Sequence, residues 1–196
     1  MAIETLNPNA AGDETEFGGT INPDVAHYLN IDDHKLLPDD DNTYISSTPD
    51  EGTLAYYIVI KENSTTTNVD KTSGTSTSYA NHSNKWTTKP SDSGAFTSSD
   101  IDGLQIGVRF TGDDNPRDET DLFNLPAWPN SSGDTINSIT VYARWKKVAG
   151  GGGSFSMRVT QVYVDVDYTA GGYSNKVSGV STNEVIGVSV DEVIGI

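Results

Sequence analysis

The side chains best suited to chemistry in this sequence are carboxylates, and they are grouped in two short runs. The candidates are Asp39, Asp40 and Asp41 in the first run, and Asp113 and Asp114 in the second. Carboxylate oxygens are the ligands that Ca²⁺ prefers. Neither run has the spacing of an EF-hand loop, however, and Asp is also a common turn residue. The five residues are therefore weak candidates for a structural Ca²⁺ site, and no other cofactor is predicted.

Catalytic machinery is not indicated by the remaining residue types. The chain has no Cys, no Gly-x-Ser-x-Gly motif and only three His, at positions 27, 34 and 82 in polar sequence, without zinc-ligand spacing. Asp165 and Asp167 share one face of a strand. They form either a small acidic site or, as we expect from the alternation of antiparallel strands, part of a solvent face. The sequence predicts that the protein is not an enzyme.

Trp128 is the best candidate for contact with a ligand. It lies between two prolines, Pro126 and Pro129, in a segment expected to form a rigid loop. An exposed aromatic ring in such a loop can stack on a sugar, although packing within the protein is the more common role of Trp. Trp145 alternates with apolar positions of a strand and is expected to be buried.

The charge and hydropathy of the chain exclude several partners. Its 28 acidic and 12 basic residues give a formal net charge of −16, which repels phosphate backbones and disfavours nucleic acid. No apolar run reaches the roughly 20 residues that cross a bilayer. The first 17 residues lack the basic and apolar regions of a secretion signal. We therefore expect synthesis in the cytoplasm and no membrane partner.

Strand periodicity defines the fold class. Residues 104–110, 136–148 and 157–168 alternate between apolar and polar positions, and residues 54–61 are rich in aromatic and β-branched side chains. A glycine run at 150–153 is expected at a flexible connector or hairpin tip. Residues 101–104 are expected to form a short helical turn capped by residues 98–100, with a plain turn as the alternative. Residues 62–84 are polar enough for an edge strand or a long loop. The pattern predicts an all-β, antiparallel, two-sheet β-sandwich of the jelly-roll type.

Three segments are predicted from changes in composition. Residues 1–30 are expected to form an extended N-terminal arm, because Asn7-Pro8-Asn9 and Gly18-Gly19 oppose regular structure. Residues 31–170 form the sandwich, and residues 171–196 form a β-prone tail.

The tail repeats with a period of eight residues, so that Val177, Val185 and Val193 align. Such a repeat cannot bury its apolar positions alone, and we expect it to dock by strand addition on its own domain, on sister subunits or on a partner. A homo-oligomer follows, and a trimer is compatible with it. The expected contact positions are Val177, Val180, Val185, Ile186, Val188, Val193, Ile194 and Ile196.

Several sequence blocks resemble a family of small virion proteins known mostly from phage and prophage genomes. The blocks are residues 4–13 (ETLNPNAAGD), 39–44 (DDDNTY), 86–90 (WTTKP), 99–108 (SDIDGLQIGV), 121–126 (DLFNLP) and 160–168 (TQVYVDVDY). Their order departs from that family's pattern, in which the block at 121–148 precedes the block at 86–108. The resemblance therefore implies a setting and a fold class, and leaves strand connectivity open.

Together, the residues and the resemblance predict a non-enzymatic phage structural protein. We expect a surface or decoration component of the head or tail, attached to other virion proteins through its terminal segments and assembled in the host cytoplasm. The alternative is a receptor- or glycan-binding module of a tail fibre that uses Trp128 as its anchor.

Overall fold

The structure, a computed structural model, describes residues 1–19, 31, 44–47, 55–71, 76–112, 118–130, 133–149, 151–171, 176–177 and 180–181. Two antiparallel sheets pack face to face around one apolar core. The predicted all-β, two-sheet sandwich is confirmed.

The larger sheet has six strands and is organised around one long hairpin. Its strands are β1 (Ala2–Leu6), β3 (Gly18–Gly19), β4 (Ile45–Ser46), β7 (Ala80–Trp86), β10 (Thr135–Ala149) and β11 (Phe155–Thr169). The order across the sheet is β3-β4-β11-β10-β7. β4 pairs with residues 158–159 of β11, and β1 pairs with residues 164–168 of the same strand. Within the described part of the chain, β7 is therefore an edge.

The smaller sheet has five strands in the order β2-β9-β8-β5-β6. Its strands are β2 (Ala10–Thr15), β5 (Ala55–Glu62), β6 (Thr65–Asp70), β8 (Leu104–Thr111) and β9 (Glu119–Asn124). A separate two-stranded sheet follows the sandwich and consists of β12 (Lys176–Val177) and β13 (Val180–Ser181).

The core forms because each long strand alternates between the two faces of its sheet. Leu104, Ile106, Val108 and Phe110 of β8 are at most 1% exposed and face the buried side of β10, where Trp145 is fully buried. Removing one such side chain from water stabilises the fold by roughly 1.5–3 kcal/mol. The inward positions predicted from periodicity in β8 and β10 are confirmed.

The glycine run lies at the tip of the β10–β11 hairpin, as predicted. Gly152 and Gly153 have φ angles of 74° and 94°. These angles are strained for a residue with a Cβ, so glycine allows the chain to reverse there.

The short helix α1 (Ser98–Asp102) confirms the predicted helical turn but begins earlier than expected. Thr97 is the N-cap: its side chain accepts a hydrogen bond from the Asp100 amide, and the Asp100 carboxylate accepts one from the Thr97 amide. This reciprocal capping box fixes the start of the helix.

The expectation of an N-terminal arm without regular structure is wrong for residues 1–19. β1 pairs with β11, β2 with β9, and β3 with β4, so this segment contributes to both sheets. Main-chain hydrogen bonds to exposed sheet edges do not require an apolar repeat, which is why periodicity gave no signal. Leu6 and Phe17 anchor the segment in the core at 4% and 2% exposure. Residues 20–30 of the predicted arm lie outside the described residues.

Candidate functional site

Trp128 is buried, which agrees with packing inside the protein, the role expected to be more common, and not with its alternative role as an exposed ligand anchor. The side chain is only 9% exposed, and its ring meets the Tyr168 ring edge-on with 5.1 Å between centroids. The Trp128 amide donates to Asp102 Oδ1 at 2.6 Å, and the indole Nε1 donates to Asp134 Oδ2 at 3.2 Å. Tyr168 and the nearby Asp134 contact the ring, and Asp102 holds the main chain, so the ring is not an open platform for a sugar.

Asp134 joins the Trp128 loop to the end of the long hairpin. Its Oδ2 accepts from the Trp128 indole, and its Oδ1 accepts from the Gly171 amide at 2.9 Å. Losing this carboxylate would leave two N–H groups without their partner. Trp128 and Asp134 therefore serve the fold at this end of the sandwich.

The predicted calcium ligands lie outside the described residues. This applies to Asp39, Asp40, Asp41, Asp113 and Asp114. Among the residues that the structure describes, no group of three or more His, Asp or Glu side chains is arranged to hold a metal ion.

Asp165 and Asp167 share the outer face of the six-stranded sheet, but they are held by neighbouring strands. Asp165 is 8% exposed, and its Oδ1 accepts from Thr5 Oγ1 of β1 at 2.7 Å. Asp167 accepts from Asn137 Nδ2 of β10 at 3.2 Å. Asp165 is buried rather than solvated because β1 runs along this part of β11 and places Thr5 opposite it. The two carboxylates tie β1 and β10 to β11.

A second charged group surrounds the loop before α1. The Lys89 ammonium lies 3.2 Å from Asp92 and 3.8 Å from Asp100. The side-chain contact with Asp92 raises the pKa of Lys89, and the Gly94 amide followed by Lys89 lowers the pKa of Asp92. Both shifts favour the charged forms, so the loop is stabilised while its members stay ionised.

A different arrangement of charge occupies the other half of the six-stranded sheet's outer face. We call it the cation–tyrosine face; its members are Tyr44, Tyr79, Arg144, Lys146 and Arg158. Lys146 Nζ lies 4.2 Å from the centre of the Tyr79 ring, and the Arg158 guanidinium carbon lies 4.4 Å from the centre of the Tyr44 ring. The Arg144 guanidinium carbon is 5.5 Å from the Tyr79 ring. All five side chains are partly exposed.

Strand alternation places these cations outside the core. Lys146 follows the fully buried Trp145, and Arg158 lies between the buried Met157 and Val159. Lys146 and Arg158 are register partners on β10 and β11. Sequence reasoning missed the cation–tyrosine face. The alternation that predicted the core residues also predicts which basic residues point away from the core. Their pairing and the approach of Tyr44 and Tyr79 required the sheet order.

Two tyrosines continue the face toward Asp165. The rings of Tyr142 and Tyr163 are stacked across β10 and β11, with 4.7 Å between centroids and 10° between planes. Burial, followed by the neighbouring Asp165 charge and Tyr142, raises the pKa of Tyr163 to about 12. The Tyr163 hydroxyl therefore stays neutral at physiological pH.

The inner side of β7 carries one titratable ring. His82 stacks on Trp145 with 4.1 Å between centroids and 10° between planes. Among the described residues, His82 Nε2 and Trp145 Nε1 have no hydrogen-bond partner. Burial, followed by the Lys71 charge, lowers the pKa of His82. A neutral imidazole that packs against the core is the role this geometry supports.

The predicted attachment tail is described only at its start. Val177 and Val180 are register partners in the β12–β13 hairpin. The remaining predicted contact positions lie outside the described residues: Val185, Ile186, Val188, Val193, Ile194 and Ile196. In the described part of the tail, the chain has β structure and forms a sheet of its own.

Within the described residues, no helix is both long enough and apolar enough to cross a lipid bilayer. Comparisons with protein-family models, with curated proteins and with solved structures found no match to this chain. The resemblance of its sequence blocks to phage virion proteins therefore stays a prediction.

Proposed function

We propose that this chain is a non-enzymatic structural protein of a bacteriophage particle. It is a surface or decoration component of the head or tail, assembled in the host cytoplasm and held by other virion proteins. The observation that carries the proposal is the β12–β13 hairpin, which forms a two-stranded sheet apart from both sheets of the sandwich.

An isolated two-stranded hairpin is only marginally stable in water. This one has strands of two residues each, Lys176–Val177 and Val180–Ser181. The sequence that follows repeats the same apolar spacing at Val185 and Val193. A β-prone segment of this kind gains main-chain hydrogen bonds and buries its apolar positions when a partner strand is added. The tail is therefore the proposed attachment and oligomerisation element.

The use of buried polar residues also supports a structural role. Asp165 is bonded to Thr5, and Asp134 is bonded to Trp128 and Gly171. Glu62 is 2% exposed and accepts hydrogen bonds from Ser91 and Asn63. These carboxylates, which are the usual candidates for acid–base chemistry, bind neighbouring strands and loops together.

The deciding experiment is a cryo-EM map of purified particles that carry either the full chain or a chain truncated after Gly172. We expect density for the sandwich with the full chain and an empty site with the truncated chain. Unchanged occupancy would remove the tail as the attachment element. Absence of the full chain from purified particles would remove the virion role altogether.

A matched pair of variants separates the repeat from tail length. Val177→Thr, Val185→Thr and Val193→Thr together retain side-chain shape and β-propensity but remove the apolar contacts. Ser181→Thr with Ser189→Thr changes polar positions of the same repeat. We expect the first variant to lose occupancy and the second to retain it. Equal occupancy would show that the repeated valines do not make the contact.

The oligomeric state gives an independent measurement in solution. We propose a homo-oligomer, with a trimer as the first candidate, held through the tail. Analytical ultracentrifugation of the full chain and of the chain truncated after Gly172 measures it directly. A full chain that sediments as a monomer would contradict tail-mediated self-association and leave other virion proteins as the partners.

A further inference from the structure

We propose that the cation–tyrosine face binds an acidic saccharide, with one anionic group held between Lys146 and Arg158 and sugar rings resting against Tyr79 and Tyr44. The inference does not depend on a place in the virion, and it concerns a different surface from the buried Trp128.

The first supporting observation is a like-charge pair. Lys146 and Arg158 are direct cross-strand partners on β10 and β11, and both lie on the outer face. Like charges in this position destabilise a sheet. The chain has 28 acidic residues, yet among the described residues no carboxylate forms an ion pair with either cation. A destabilising like-charge pair that has no counter-ion among the described residues suits an external anion.

The second observation is that rings hold the cations in place. Lys146 lies over Tyr79 and Arg158 over Tyr44, so each cation rests against an aromatic ring and not against a carboxylate. A cation over an aromatic ring keeps its full charge while losing part of its freedom. The positive charge is therefore presented at fixed positions, which reduces the entropy lost when a ligand binds.

The third observation is the composition and length of the row. Arg158 and Lys146 are register partners, and Tyr44 and Tyr79 immediately precede the neighbouring strands β4 and β7. Three steps between neighbouring strands span about 14 Å. Protein interfaces usually need a buried apolar centre. The exposed large apolar side chains among the described residues are Met1 and Ile3, and Ile3 lies opposite Asp167, away from the row. Partly exposed rings and cations without apolar anchors favour a saccharide over a protein.

The net charge of −16 does not prevent this binding, because salt screens charges separated by more than about 8 Å at physiological ionic strength. Arg144 adds a third cation two residues from Lys146. A saccharide with widely spaced anionic groups engages these local charges. A nucleic acid, with one charge per ~1.7 Å of duplex, brings many phosphates near the acidic remainder of the protein.

The test is a titration of the full chain with each of four polymers. Binding is measured by the change in tryptophan fluorescence or by calorimetry. Carboxymethyl dextran is the probe, and unmodified dextran is the uncharged control with the same backbone. Polyglutamate supplies carboxylates without sugar, and a single-stranded oligothymidylate supplies phosphates. We expect binding to carboxymethyl dextran that weakens with added NaCl, and at least about tenfold weaker binding to each of the other three polymers.

Three substitutions locate the site. Lys146→Gln and Arg158→Gln should each weaken binding to carboxymethyl dextran by about tenfold, the usual effect of losing one charged hydrogen bond. Tyr79→Leu should weaken it as well, because the ring surface is lost while the bulk remains. Lys61→Gln is the matched control, since Lys61 lies on the other sheet and is paired with Asp13.

Stability measurements keep the test independent of misfolding. Removing one member of a like-charge pair should leave Tm unchanged or raise it for Lys146→Gln and Arg158→Gln. No binding to carboxymethyl dextran, or binding that survives both substitutions, overturns the proposal. Equal or stronger binding to polyglutamate or to oligothymidylate also overturns it, in favour of an acidic protein or a nucleic acid.

Discussion

The outer faces of the two sheets contain similar cations and treat them in opposite ways. On the five-stranded sheet, Lys61 is paired with Asp13 at 2.8 Å and Arg109 is paired with Asp118. On the six-stranded sheet, Lys146 and Arg158 rest on tyrosine rings. The chain is strongly acidic, so a shortage of carboxylates does not explain the difference. Placement of individual residues by the sheet order determines whether a cation is neutralised internally.

In the five-stranded sheet, the N-terminal strand β2 forms one edge and contacts residues of the other strands. Between the paired positions Ala11 and Thr15 the register of β2 is irregular, and Asp13 there reaches Lys61, three strands away. The Asp13 amide donates to Gln105 Oε1 at 3.3 Å, and Asn124 Nδ2 donates to the Ala11 carbonyl at 2.6 Å. Residues of β2 thus pair with charged and polar groups on the outer face of the five-stranded sheet. The row on the six-stranded sheet stays partly exposed.

The largest expected effect comes from breaking the close packing of the five-stranded sheet. A Cβ at Gly107 would lie 1.9 Å from the Asp121 carbonyl oxygen, so Gly107→Ala must displace β9 or β8. We expect a loss of about 3 kcal/mol or more in the free energy of unfolding, measured by denaturant titration. Gly103→Ala is the control, because a Cβ there has no neighbour within 4 Å. Equal stability of the two variants would show that the sheet is less tightly packed than described.

A smaller effect is expected where β1 joins the six-stranded sheet. Thr5→Val removes the hydrogen bond to the buried Asp165, and should cost about 1–3 kcal/mol. Thr140→Val is the comparison variant, because Thr140 is the register partner of Asp165 on β10. Denaturant titration of both variants measures the difference. If Thr140→Val is as damaging as Thr5→Val, the bond from β1 is not what stabilises Asp165.

The pH dependence of stability should report on the edge strand β7. Burial lowers the pKa of His82 from 6.5 in the folded protein. Below 6.5 the unfolded chain binds more protons than the folded chain, so stability is complete above this pH and decreases as the pH falls through 6.5 toward the folded pKa. His82→Gln should reduce this dependence between about pH 7.5 and about pH 5.5. Identical slopes for the two proteins would contradict a buried neutral imidazole.

The smallest effect sharpens the comparison of the two faces directly. Lys61→Gln removes an internal ion pair and should lower Tm slightly, with the difference vanishing in about 1 M NaCl. Lys146→Gln removes a like-charge contact and should leave Tm unchanged or raise it. Thermal unfolding of both variants at low and high salt measures the contrast. Equal decreases in Tm would show that both cations are neutralised within the protein.

Sequence reasoning succeeded where the signal is local. β8, β10 and β11 were predicted at 104–110, 136–148 and 157–168 and are observed at Leu104–Thr111, Thr135–Ala149 and Phe155–Thr169. The polar segment 62–84, expected to form an edge strand or a long loop, supplies β6 and the start of β7, which are edges in the described sheets. It failed for β1 and β2, where pairing depends on partner edges more than 100 residues away.

The candidate sites show the same division. The sequence placed Trp128 in a proline-flanked loop correctly, but its burial depends on Asp102 and Tyr168, which come from α1 and β11. Strand alternation alone predicts that Lys146 lies on the other face of β10 from Trp145. No local rule places Arg158 beside Lys146 or Tyr79 against Lys146.

By itself the sequence determined the all-β class, the inward residues of the long strands and the acidic charge, because strand periodicity and composition are properties of neighbouring residues. Only the tertiary structure decided that the first 19 residues join both sheets and that Trp128 is buried. It also decided that cations pair with carboxylates on the outer face of one sheet and contact tyrosine rings on the outer face of the other. Those outcomes depend on contacts between residues far apart in the chain, where hydrogen-bond geometry and Coulomb energy depend on distances that local sequence does not fix.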